Sequence, residues 1–410
     1  MSAITPELEP MEVGLDARRL AHIGRHFDRY VEDRKIPGYL AVVTRSGRVA
    51  HVVRGGVRDL EKGLGLEDDT RFRIYSMTKP VTSVAAMTCY EQGLIALDDP
   101  VSKFIPEFAE TRVFSGGSSF RPVTVPMSEP MRIWHLLTHT AGLTYGWMYN
   151  HPVDAIYRSA GFEWDAPPDL DLAECCRRLG RLPLLCQPGT AWNYSVATDI
   201  LGRVVEVATG QSLEEVFTER VFGPLAMNET TFHVEGDAAE KLAVLYSPDL
   251  VTGRATRATH LGEVALRRPS APLGGSGLVS TAGDYHRFSQ MLLRRGELEG
   301  ARILGARTVS YMTRNHLPGG AELAQFGNPI GEQAEAGVGF GLGFSVVVEP
   351  QALKVTSSAG EYGWGGAAST LFWVDPVEEL TVLFFTQLLP STTYPIRREL
   401  KQLVYSAIVN

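Results

Sequence analysis

The chain has 410 residues, 44% of them hydrophobic and 21% charged, with a formal net charge of −8. That length suits two to three domains of roughly 150 residues each and a core that needs no disulfide or metal staple. The acidic balance excludes nucleic-acid binding through a basic surface. The most apolar stretch, Leu380 to Phe385, falls far short of the roughly 18 residues of a membrane span. The N-terminal segment carries neither the basic nor the apolar region of a secretory signal, so the expected location is the cytoplasm, with no membrane partner. Cys89, Cys175, Cys176 and Cys186 show no C-x-x-C spacing and are expected to be free thiols.

In chain order, Asp16 is placed to cap a first helix with Leu20, Ile23, Phe27, Tyr30 and Val31 on one face, ended by Pro37-Gly38. Tyr39–Thr44 and Val49–Arg54 then form a hairpin around Ser46-Gly47. Residues 112–130, rich in Gly, Ser and Pro, are expected to be a long loop. Ile200, Leu201, Val204, Val205 and Ala208 make a helical stripe stopped at Gly210, and Ser212 with Glu215 fits a capping box. Strand-like runs return at Gly343–Val348, Ala368–Val374 and Leu380–Thr386, before a last helix carrying Ile396, Leu400, Leu403, Val404 and Ala407. Strands at both ends with helices between them imply one sheet whose halves are remote in sequence.

Several patterns could carry chemistry. No G-x-S-x-G elbow, H-E-x-x-H or P-loop occurs. The alternating Gly337, Gly339, Gly341 and Gly343 precede no helix, and fit a strand opening where small residues permit close packing. Ser76-Met77-Thr78-Lys79 is followed by Pro80 and a helical stripe (Val81, Val84, Ala85, Thr88, Cys89). Ser76 would then sit at a helix N-terminus, where dipole and free N–H groups favour developing negative charge, with Lys79 one turn on. A serine hydroxyl needs a nearby base to act as nucleophile, which a lysine or tyrosine can help supply. A plain N-cap serine beside a solvated lysine would have the same sequence. Tyr194, leaving a turn-forming run, could point into a cleft or be structural. Gly363-Trp364-Gly365-Gly366 leads into a strand and could bring main-chain N–H groups to a ligand, or be a tight turn. His135 and His139 have i,i+4 spacing but no evident third ligand, so packing at a helix end is the expected role.

Taken together, in this order and spacing, these stretches resemble the serine β-lactamase/penicillin-binding-protein superfamily, its class C-like members, and within them the family VIII carboxylesterases. Ser76–Lys79 matches the first box, Tyr194-Ser195-Val196 the Y-x-N box and Trp364-Gly365-Gly366 the K-T-G position. Supporting stretches are His135–Leu143, Pro188–Ser195, Phe222–Met227 and Gly274–Asp284. The resemblance runs from about residue 15 to 405. It implies an α/β (α+β) β-lactamase-like fold, with residues 10–80 and 268–410 forming an antiparallel sheet domain, 81–267 a mostly helical insert, and the active site between them. It also implies Ser76 as acylated nucleophile, Tyr194 as general base beside Lys79, and the N–H groups of Ser76 and Ala367 as oxyanion hole, with no cofactor and no metal. Val196, Trp364 and Gly365 stand where class C β-lactamases have Asn, Lys and Thr, so a carboxylate-bearing drug loses its partners and neutral esters fit better. Trp364, Gly365, Gly366, Tyr145 and Trp147 are the expected substrate-binding residues.

Between positions 145 and 164 stand six aromatics (Tyr145, Trp147, Tyr149, Tyr157, Phe162, Trp164), where the chain-wide 9% gives about two. They suit either a pocket wall or packing within the helical insert. The expected function is a serine esterase acting on small-molecule esters. Rivals are an acyltransferase, an amide or D-peptide hydrolase or a weak β-lactamase with the same machinery, a silent ligand-binding relative, or a metal hydrolase using His135 and His139.

Overall fold

The computed structural model describes residues 4–164, 166–328 and 336–409. Its centre is an eight-stranded antiparallel sheet. Three strands come from the N-terminal part: β1 (Gly38–Arg45), β2 (Arg48–Asp59) and β3 (Leu64–Gly65). Five come from the C-terminal part: β4 (Val338–Phe340), β5 (Ser345–Val347), β6 (Tyr362–Gly365), β7 (Leu371–Asp375) and β8 (Leu380–Phe385). The spatial order is β4-β5-β6-β7-β8-β1-β2-β3, so the two ends of the chain join where β1 pairs with β8. The sheet therefore closes only after the roughly 270 intervening residues have been laid out, a loop closure whose entropic cost grows only slowly with length.

Both faces of the sheet are buried, and the two-residue period of a strand sorts the side chains between two cores. Ala41, Val43, Trp373, Val382 and Phe384 face α1 (Ala17–Glu32) and the C-terminal helix. Leu40, Val42, Phe372, Val374, Leu383 and Phe385 face the helical half of the molecule. Asp16 caps α1 as its sequence implies, its carboxylate accepting from the N–H groups of Arg18 and Arg19. On the other face lie α2 (Thr78–Glu91), α3 (Ala197–Thr209) and α4 (Ala282–Leu293). Every residue of α2 from Thr78 to Cys89 is buried, so it is a central helix rather than an amphipathic surface one. Gly210 ends α3 at φ 71°, and the Ser212–Glu215 capping box forms. The last helix, α5 (Ile396–Tyr405), buries Ile396, Leu400 and Val404. No helix among the described residues is long and apolar enough to cross a membrane.

Three local expectations need correction. Residues 112–130 are not an open loop: Arg112–Ser118 and Arg121–Pro126 pair as an antiparallel hairpin. This ribbon is mostly exposed, so it needs no apolar alternation, and its glycines and prolines hid it. Tyr362–Gly365 is itself a strand, and Gly366–Thr370 is a turn, so the strand expected from Ala368 begins at Leu371. β2 also runs five residues past Arg54, to Asp59.

Candidate active site

Ser76 lies in a single 3-10 turn, Tyr75–Met77, that feeds into α2. Tyr75, immediately before it, is held at φ 42°, a left-handed conformation unfavourable for a bulky side chain. The turn is pinned from several directions. Ile74 N–H donates to Leu278 O (3.0 Å), Leu278 N–H to Thr78 Oγ1 (3.1 Å), and the Tyr285 hydroxyl to Met77 O (2.8 Å). The hydroxyl therefore sits on a braced helix entrance, not on a mobile loop.

Lys79, one turn on and 2% exposed, donates to Ser76 Oγ (3.2 Å), Tyr145 Oη (3.0 Å) and Gly275 O (2.7 Å). An ammonium has three N–H donors, and all three are used. Gly275 is itself fixed by its N–H bond to Asp199 Oδ1 (2.7 Å) on α3. Gly274 and Gly275 have to be small: a Cβ on Gly274 would lie 2.8 Å from Thr198 O, and one on Gly275 2.9 Å from the Asp199 carboxylate.

Tyr194 Oη lies 2.6 Å from Ser76 Oγ, and the Lys79 ammonium lies 4.5 Å from the centre of the Tyr194 ring. The segment that aims this ring is anchored by Asn193, whose N–H donates to His139 O (2.9 Å) and whose amide donates to Leu143 O (2.7 Å). Trp192 stacks on the Tyr194 ring at 6.1 Å and 17°. The His139 ring packs 5.0 Å from that of Tyr194, with Nδ1 3.2 Å from Ser195 Oγ. Burial, and then the nearby Lys79 charge, push His139 well below its ordinary range, so it stays neutral. His135 sits in the short helix Ile133–Leu137, where its Nδ1 accepts from Arg132 N–H (3.0 Å); His139 lies beyond that helix at φ 55°. The two imidazoles thus serve separate local structures. Among the described residues no cluster of His, Cys, Asp or Glu could hold a metal ion.

These groups open onto a cavity of about 630 Å³, lined among others by Ser76, Tyr145, Trp147, Trp164, Tyr194 and Ala367. Small-molecule sites commonly fall in this size range. Tyr145, Trp147 and Trp164 form a stacked aromatic slab, with successive centroids 5.2 and 5.6 Å apart. The six aromatics of 145–164 therefore divide. Those three line the cavity, Tyr157 and Phe162 are buried in the core, and Tyr149 is exposed.

Of the residues expected at the substrate, Tyr145 and Trp147 line the cavity, whereas Trp364, Gly365 and Gly366 do not. Trp364 is buried behind Tyr194, ring centres 5.6 Å apart, and supports the tyrosine instead. Gly366 is small because a Cβ there would lie 2.3 Å from Ile74 O; this close approach sets the Ala367 turn against the Ser76 turn. Gly365 makes room for the Arg397 guanidinium, 2.4 Å from where a Cβ would stand. Among the described residues, neither the Ser76 N–H nor the Ala367 N–H has a protein acceptor within hydrogen-bond reach.

Two features escaped the sequence reading. Tyr145 belongs to the Ser76–Lys79–Tyr194 cluster as well as to the cavity wall, and a large share of the lining comes from residues 260–279. Only the Gly274–Asp284 part of that 260–279 stretch carried any signal. The four cysteines are free, and burial pushes each thiol up, away from nucleophile chemistry.

Residues 23–406 match the family model described as Beta-lactamase. The protein Rv1367c of Mycobacterium tuberculosis is 35% identical over 360 residues, covering 87% of this chain and 86% of that protein. Esterase EstB of Burkholderia gladioli is 33% identical over 424 aligned residues, covering 97% and 98%. Among solved structures, EstCE1, described as a hydrolase with promiscuous acyltransferase activity, superposes with a TM-score of 0.80 at 27% identity, covering 97% of this chain and 99% of its own. With the fold and the box residues already in place, the chain belongs to the β-lactamase family, in the family VIII esterase branch of the serine β-lactamase/penicillin-binding-protein superfamily.

Proposed function

We propose that the protein is a serine carboxylesterase that cleaves small to medium acyl esters through an acyl-enzyme on Ser76. The observation that carries this is the 2.6 Å contact between the Tyr194 and Ser76 hydroxyls beside the buried Lys79. Tyr194 takes the Ser76 proton as Oγ adds to the ester carbonyl. As the base, the Tyr194 oxygen carries negative charge before it takes this proton, and the Lys79 ammonium over the ring offsets that charge. The carbonyl oxygen, now an oxyanion, is received by the N–H groups of Ser76 and Ala367. Collapse breaks the ester C–O bond, Tyr194 returns the proton to the departing alkoxide, and the acyl group stays on Ser76. Water then enters, loses a proton to Tyr194 and adds to the acyl carbonyl. Collapse releases the acid and restores the Ser76 hydroxyl.

EstB is named an esterase, and its similarity spans nearly the whole chain. Neutral esters are favoured over β-lactams because Val196 and Trp364 supply no side-chain cation or amide for a drug's carboxylate and side chain. A second reading is acyl transfer, in which an alcohol replaces water at the acyl-enzyme. The aromatic slab can seat an apolar alcohol, and EstCE1 is described as having such a promiscuous activity.

Intact-mass spectrometry after mixing with p-nitrophenyl butyrate tests the proposal. The expected result is a butyryl adduct on the wild type and none on Ser76→Ala; an adduct that survives the substitution overturns the assignment. Nitrocefin turnover should fall at least ~100-fold below ester turnover, the scale on which a missing charged partner discriminates. Comparable rates would point to a β-lactamase.

A further inference from the structure

The cavity lining carries charge that the esterase chemistry does not use. Arg73, three residues before Ser76, lines the cavity and is 6% exposed. Its Nη1 donates to Ala243 O (2.7 Å) and to Gln387 Oε1 (3.4 Å), and its Nη2 donates to Gly262 O. All three acceptors are neutral. Among the described residues no carboxylate pairs with Arg73, and its Nε–H is buried without an acceptor. A buried cation normally recruits an anion, because its desolvation is otherwise uncompensated. Burial already lowers the Arg73 pKa to about 10, still far above neutrality, so the charge remains.

A second, separate observation concerns the mouth. Arg267 and Arg268 also line the cavity, with side chains 82% and 77% exposed and only loose partners, Glu263 at 4.0 Å and Glu214 at 3.3 Å. Among the described lining residues, three arginines thus face one carboxylate, Glu263. In a chain of net charge −8 this is a local reversal of sign. A concave, low-dielectric site of one sign concentrates ligands of the other.

We infer that the preferred substrate is an ester bearing a remote carboxylate, drawn in by Arg267 and Arg268 and held toward Arg73. This rests on the esterase reading above and adds the substrate's charge. It also revises the expectation from Val196, Trp364 and Gly365: the cations come from segments outside the Tyr194–Val196 and Trp364–Gly366 boxes.

The test compares kcat/KM for matched esters with and without the charge. Monoethyl adipate against ethyl hexanoate places it on the acyl side; 4-acetoxybenzoate against 4-acetoxybenzamide places it on the alcohol side. The expected result at low ionic strength is a preference of roughly 5–10-fold for the anion in at least one pair, shrinking as salt screens the exposed arginines. Arg73→Gln risks the fold, because Arg73 ties three segments together, so the discriminating variant is Arg267→Gln/Arg268→Gln. It should lower the charged-to-neutral ratio about threefold. A ratio at or below one in both pairs overturns the inference, as does a preference that neither salt nor the double variant changes. If the neutral esters turn over while the anions gain nothing, the esterase reading stands and only the charge assignment falls. If no ester turns over, the reading beneath it fails.

Discussion

The two sides of the cavity are built differently. On one side Ser76, Lys79, Tyr145 and Tyr194 are bonded to one another and backed by buried helix, glycine turns and stacked rings. On the other, residues 260–273 form short turns whose charged side chains reach solvent with few fixed partners. Acyl transfer needs its reacting groups held to within a fraction of an ångström, which dense packing supplies. Choosing a substrate needs shape and charge that can vary, which irregular backbone carries more readily. The aromatic slab stands between these regimes, since Tyr145 both receives an N–H from Lys79 and walls the cavity.

Substitutions on the two sides should therefore fail in different ways. The largest effect is expected from Ser76→Ala: turnover of p-nitrophenyl butyrate falls by ~10⁴-fold or more, while circular dichroism and Tm stay close to wild type. Activity surviving at a tenth of wild type would move the nucleophile elsewhere and dissolve the contrast. Tyr194→Phe keeps the ring packed against Trp192 and Trp364 but removes the hydroxyl, so kcat should drop at least ~100-fold with KM little changed. Trp147→Ala, in the slab, should act through binding: kcat/KM for esters with bulky apolar groups falls about 3–10-fold, while an acetate ester is affected less. An equal loss for both would place Trp147 with the catalytic cluster.

A further effect concerns stability rather than turnover, away from both walls. His286, on α4 beneath the sheet, is held down to about 4, first by burial and then by the charges of Arg287 and Arg294. In the unfolded chain it titrates near its ordinary value, so between these limits the unfolded state binds more protons. Its contribution is complete above about pH 6.5 and is lost as pH falls toward 4, on the order of 3 kcal/mol in all. His286→Gln should flatten that acid limb of the stability profile in urea titrations. An unchanged slope would assign the acid sensitivity to other groups, such as His135, which burial also holds down to about 4.

Legibility in the sequence followed the physics of each element. α1 could be read because its cap and apolar face are local, and β1, β7 and β8 because strand residues buried on both sides are strongly apolar. The hairpin within 112–126 was hidden because an exposed ribbon need not be apolar, and β6 because Gly363 and Gly365 are there to accommodate neighbours. Ser76, Lys79 and Tyr194 were visible through spacing and resemblance to known boxes. Trp364 was placed in the correct stretch but on the wrong surface, since sequence does not tell which side of a strand meets a ligand and which supports a ring. Arg73 and Asp199 had no pattern of their own, and the Gly274–Asp284 stretch gave no sign that the Gly275 carbonyl would hold Lys79; each acts through partners far along the chain.

By itself the sequence determined the kinds of groups present and their local frames: a serine at a helix entrance, a lysine one turn later, a tyrosine leaving a turn, and glycines where backbone passes close to backbone. Only the tertiary structure decided that Lys79 spends its three N–H groups on Ser76, Tyr145 and Gly275. It alone also left Arg73 facing the cavity with no carboxylate partner among the described residues. The physical reason is range: caps, turns and periodicity act over a few residues, whereas pairing and desolvation of charge depend on which distant segments close the same space.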